Sequence, residues 1–85
     1  MAKLHEYGGR IVTVDGQRTV EMRDSNDNAR TRYQYRRSSD GGLERRRLTS
    51  AGGTLDEWTA YTADELAQLR SQRGQFHPIL DPLGL

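Results

Sequence analysis

The chain has 85 residues, a formal net charge of +1, no cysteine, and 15 Leu, Ile, Val or Phe residues, so any core it builds is small and has no disulfide or thiolate-metal staple. No apolar run approaches a membrane span, and the opening "MAKLHEYGG" lacks the apolar centre of a signal peptide. These features predict a single domain over residues 1–85 in a cytoplasmic setting, or a virion-associated one if the chain is phage-encoded. Twelve arginines against one lysine suit a GC-rich bacterial or phage coding sequence. The near-zero balance hides a gradient: residues 1–22 are neutral, residues 23–50 set eight arginines against four acids, and residues 51–85 set two against five.

"RIVTVDGQRTVEM" reads as a hairpin about Asp15-Gly16. A two-residue turn would put Val12 and Val14 on one face and Val20 and Met22 on the other. An odd-length loop would gather all four on one face, and the need for one apolar face favours it. "RDSNDNA", residues 23–29, is dense in turn formers. "RTRYQYRR", residues 30–37, alternates, with Thr31, Tyr33 and Tyr35 opposite Arg30, Arg32, Gln34 and Arg36. After the turn "SSDGG", "LERRRLT" at 43–49 sets Leu48 with Glu44 and Arg46, and Leu43 with Arg45 and Arg47; its charge suits a sheet edge.

Two capping boxes follow. Thr54 with Glu57 predicts a short helix carrying Leu55 and Trp58. Thr62 with Glu65 predicts the main helix, with Tyr61 against Leu66 as a hydrophobic staple, Arg70 and Arg73 in the last turns and Gly74 as the stop. "QFHPILDPLGL" has two prolines and reads as an extended apolar tail. The expected fold is therefore α+β: a three- to four-stranded antiparallel meander over 1–49, a helical segment over 54–74 and the tail over 75–85.

The chemistry-bearing motifs are few. Asp24, Asn26 and Asn28 match the start of a calcium loop, but Ala29 replaces the bending glycine and Tyr35 the bidentate glutamate, so a turn is expected there. His5 and His77 lie far apart without companion ligands. No nucleophile–base set or phosphate loop is visible, and the paired acids at 56–57 and 64–65 suit helix starts. No cofactor is indicated, and a non-enzymatic role is expected.

The arginines remain. Arg30, Arg32 and Arg36, with Arg45 and Arg47 beside them, would form a guanidinium stripe able to follow a phosphate backbone. Tyr33 and Tyr35 alternate away from them, which disfavours base stacking. Arginine and aromatic side chains are also enriched at protein interfaces where lysine is depleted. The expectation is a protein-binding module, such as an accessory or inhibitor protein or a subunit of a bacterial or phage assembly. Arg32, Arg36, Arg45 and Arg47 would be its polar contacts, with Phe76, Ile79 and Leu80 as apolar anchors. DNA binding through the arginine face is the alternative. A homo-oligomer joining the basic middle of one copy to the acidic third of another is a further option.

Overall fold

A computed structural model describes residues 9–23 and 30–85. It is an α+β fold, a five-stranded antiparallel sheet in the order β1-β2-β3-β4-β5 followed by two helices. The strands are β1 (Arg10–Val14), β2 (Gln17–Arg23), β3 (Thr31–Arg37), β4 (Leu43–Thr49) and β5 (Thr59–Ala60). The predicted meander is present with one strand more than expected. The turn expected over 23–29, with its calcium-loop resemblance, falls outside the described residues apart from Arg23, as does His5.

The first hairpin closes through two residues. Val14 pairs with Gln17, and Asp15 and Gly16 hold φ of 53° and 75°. Positive φ at both central positions defines the turn whose twist matches that of the flanking strands, and Asp-Gly supplies it. The odd loop favoured by the sequence is thus corrected. Val12 and Val14 lie on one face, Val20 and Met22 on the other.

β4 is not an edge. β5 pairs with it through Glu44–Ala60 and Arg45–Thr59, and Thr54 bridges to Leu48. Five residue steps from Thr54 to Thr59 therefore span three steps of β4, from Leu48 to Arg45. The two extra residues bulge, and the segment predicted as a short helix at Thr54 is instead this irregular strand partner.

Helix α1 (Ala63–Ser71) starts where predicted. Thr62 Oγ1 accepts from the Glu65 backbone N–H at 3.1 Å, and Glu65 Oε1 accepts from the Thr62 N–H at 2.9 Å. It ends at Ser71, and Gly74 is inside a second helix, α2 (Arg73–Leu80), which continues into a 3₁₀ turn over Asp81–Leu83. The apolar tail is helical rather than extended because Phe76, Ile79, Leu80 and Leu83 recur at i, i+3, i+4 and i+7 and face the core. Pro78 is tolerated there: the residue four before it, whose carbonyl its ring meets, is Gly74, in the first turn.

The core is one cluster. Val20, Tyr35 and Leu43 from one sheet face meet Leu66 of α1 and Ile79, Leu80, Leu83 and Leu85 of the C-terminal segment. Arg70 Nε and Arg73 Nη2 donate to the Leu85 carbonyl at 3.0 and 2.7 Å, and Arg18 Nη1 donates to the Pro82 carbonyl at 3.2 Å. These bonds clamp the final turn to α1, α2 and β2. Both helices lie on this face of the sheet, the helix face. No described helix lies on the opposite, outer face.

Candidate functional site

The outer face is organised in rows across the strands. Arg10, Glu21, Gln34 and Arg46 are direct register partners on β1, β2, β3 and β4. Their side chains are linked in the same order. Arg10 Nε donates to Glu21 Oε2 at 2.8 Å, Gln34 Nε2 to Glu21 Oε1 at 3.1 Å, and Arg46 Nε to Gln34 Oε1 at 2.8 Å. Arg32 Nη1 approaches Glu21 Oε2 at 3.6 Å from the neighbouring row. The Glu21 side chain is only 8% exposed, so three donors surround a buried carboxylate. Arg36 pairs with its register partner Glu44.

Trp58 completes this surface. The guanidinium carbons of Arg36 and Arg46 lie 3.9 and 4.6 Å from its ring centroid. The bulge between Thr54 and Thr59, opposite β4, brings the indole back over the sheet, and the arginines, one on β3 and one on β4, present their planar cations to it. By alternation the outer face carries Arg10, Arg23, Arg32, Arg36 and Arg46 against Glu21 and Glu44, an excess of three positive charges. Among the described residues, Arg32 Nε is the one buried side-chain polar atom with no hydrogen-bond partner.

The helix face holds a different set. The Arg45 guanidinium lies 5.1 Å from the Tyr33 centroid and 5.8 Å from that of Tyr61. Burial pushes the Tyr35 hydroxyl up to about 12. Arg47 makes a two-pronged pair with Asp56, one arm at 3.0 Å, and this holds the Asp56 carboxyl below the usual carboxylate range.

The sequence-predicted residues therefore do not form one site. Arg32 and Arg36 are on the outer face, whereas Arg45 and Arg47 are on the helix face, so a single stripe through all four is not formed. Arg30 precedes β3 and is exposed. Ile79 and Leu80 are 8% and 0% exposed, and Phe76 packs partly buried beside them; all three are occupied within the chain's own core. The sequence points to Glu21 and Glu44 as cross-strand partners of the arginines and to Trp58 as an interface aromatic, but it places neither the Glu21–Gln34–Arg46 row nor the indole against Arg36 and Arg46. The row could be placed only with the hairpin register in hand, and Trp58 only with the bulge.

Among the described residues, no group of three or more His, Cys, Asp or Glu side chains is placed to hold a metal ion. No described helix is long and apolar enough to cross a membrane. Comparison with protein families, with curated proteins and with solved structures finds no match to this chain.

Proposed function

We propose that this protein is a non-enzymatic binding module that docks on another protein through the outer face of its sheet. The observation that carries the reading is the Trp58 ring lying against Arg36 and Arg46 on the face that no described helix covers. Tryptophan and arginine are the side chains most often found to dominate binding energy at interfaces. The stack holds them with little rotamer freedom left to lose on binding. Trp58, Arg36 and Arg46 are the anchors, Arg32 flanks them, and the excess of three positive charges selects a partner surface bearing carboxylates. Accessory proteins, inhibitors and assembly subunits of bacteria or phage, acting in the cytoplasm or a virion, are the roles such a module fits.

The same positive excess supports a second reading, DNA binding along that face. It ranks lower because Arg10, Arg32, Arg36 and Arg46 already have acidic or amide partners within the chain. A phosphate contact would have to displace these partners before it released counterions.

Two measurements test the proposal. Immobilised wild-type chain and a Gln68→Ala control on the exposed side of α1 should retain the same protein from source-cell extract, and Trp58→Ala should weaken its binding by about 30-fold or more. Equal retention by Trp58→Ala would overturn the outer face as the docking surface. A labelled duplex of about 20 base pairs, titrated at about 50 and 200 mM salt, should show no binding that collapses at the higher salt; such binding would put DNA first.

A further inference from the structure

β1 is an edge strand, and its backbone geometry is set by the turn. A two-residue hairpin closes on a pair that exchanges both hydrogen bonds, here Val14 with Gln17, so Val12–Thr19 and Arg10–Glu21 are the other bonded pairs. The alternation continues to the far side of the sheet, where Tyr61 N–H and Leu55 N–H donate to the Leu43 and Arg47 carbonyls, two residues on each side of Arg45. The N–H and C=O groups of Ile11 and Thr13 therefore point away from β2, and among the described residues nothing pairs with that edge. Protective devices for an edge are charged side chains, lysine above all, proline, a bulge or extreme shortness, and of these β1 carries only Arg10, at its first position. β1 has five residues, "RIVTV", with neither proline nor lysine, and all five pair in unbroken register with β2. Ile11 stands 52% exposed.

We infer that two copies of this chain pair antiparallel through β1, joining their sheets into one ten-stranded sheet about a twofold axis at Val12. The strand is self-complementary in that register. Ile11 of one copy faces Thr13 of the other, and both residues are outward-bonding, so the two such pairs form four backbone hydrogen bonds. On the helix face Ile11 gains an apolar and methyl-bearing neighbour in Thr13. On the outer face Val12 meets Val12 at the axis, and each Arg10 stands opposite a Val14 rather than another arginine. The formal charge of +1 per copy leaves little repulsion between them. The opposite edge offers no equivalent, since β5 has two residues beside a bulge. The pairing uses neither Trp58 nor the Arg36–Arg46 stack, and it would place two such stacks on one continuous surface.

The test uses the full chain. From about 10 µM to about 1 mM the mass in solution should rise from 9.7 kDa to twice that value. Thr13→Pro removes an N–H that the single chain does not use, so circular dichroism should be retained while the dimer weakens at least tenfold. Val12→Cys gives an independent reading, because the chain has no cysteine of its own. Val12 residues at the axis form a non-bonded pair about 4.5 Å apart at Cα, within disulfide reach, so mild oxidation should cross-link the variant. Thr13→Cys residues would stand beyond about 7 Å and should not cross-link. A mass that stays at one chain throughout, a dimer undiminished in folded Thr13→Pro, or Val12→Cys that fails to cross-link would each overturn the inference.

Discussion

Removal of the Glu21 carboxylate is the sharpest perturbation of the outer face. Glu21→Ala takes away the partner of three groups whose exposure differs. Arg10 is 64% exposed and returns to water, so its loss costs at most about 0.5 kcal/mol. Gln34 is 5% exposed, and an amide N–H left unpaired there costs about 1–2 kcal/mol. Arg32 is 21% exposed and its Nε already has no partner; losing the nearby carboxylate costs about 1–2 kcal/mol after allowance for partial hydration. The total is about 2–4 kcal/mol, a large share of the roughly 4–13 kcal/mol expected for a chain of this length. Urea unfolding followed by far-UV circular dichroism should show it, with a fall in melting temperature of about 10–25 °C. Adding Arg32→Met to the alanine variant should recover about 1 kcal/mol, because the guanidinium left without a counter-charge goes with it. A Glu21→Ala protein within about 0.5 kcal/mol of wild type, or no recovery on adding Arg32→Met, would refute the buried-carboxylate account.

Three further outcomes follow from the core, the cap and the titrating groups. Leu80→Ala empties a fully buried position and should cost about 2–5 kcal/mol in a urea melt. Thr62→Ala removes the hydroxyl that receives the Glu65 N–H and should cost about 1 kcal/mol, read as a lower melting temperature and loss of helical signal. Titration acts from both ends. The Ser38 hydroxyl lowers the Asp40 carboxyl, Arg47 that of Asp56, and the Thr62 backbone that of Glu65. A depressed carboxyl stabilises the fold above its unfolded value and loses that contribution as pH falls through its folded value, so urea midpoints should drop as pH falls below about 4, less steeply in Asp56→Asn. Tyr35 is raised to about 12, chiefly by burial, so its contribution is complete below the unfolded value of 10.0 and is lost as pH climbs from there to about 12. Tyrosinate absorbance should show a late step that Tyr35→Phe removes.

How far the fold was legible depended on whether local chemistry or a distant contact made each decision. The strand alternations of residues 30–37 and 43–49 and the Thr62–Glu65 box stand as read, because backbone pleat and capping are local. The hairpin register departs from the rule that every apolar residue of a small sheet shares one face. Here the helix face draws its remaining apolar surface from α1 and the C-terminal segment, which frees Val12 and Val14 for the outer face. The helix in the tail is masked in the sequence by two prolines, which ordinarily break helices. The spacing of Phe76, Ile79, Leu80 and Leu83 was already helical, and burial of that stripe outweighs one missing N–H. The Thr54–Glu57 box had the right letters, but Thr54 is held by its bridge to Leu48, a contact outside the reach of local pattern.

The arginines show why charge density along a strand does not translate into charge density on a surface. Arg45, Arg46 and Arg47 are consecutive, yet the pleat sends the first and third to the helix face and the second to the outer face. Each then meets a different neighbour: tyrosines for Arg45, Gln34 and Trp58 for Arg46, Asp56 for Arg47. A variant replacing Arg32, Arg36, Arg45 and Arg47 together would strip both faces and the Arg47–Asp56 pair at once, so a loss of binding could not be assigned to either surface. The informative comparison is by face. If the outer face docks the partner, Arg36→Ala with Arg46→Ala should abolish retention, because it removes both cations from Trp58. Arg45→Ala with Arg47→Ala should leave retention intact while lowering stability through the lost tyrosine and Asp56 contacts. The reverse pattern would move the docking surface to the helix face, where Arg45 lies among Tyr33, Tyr35 and Tyr61.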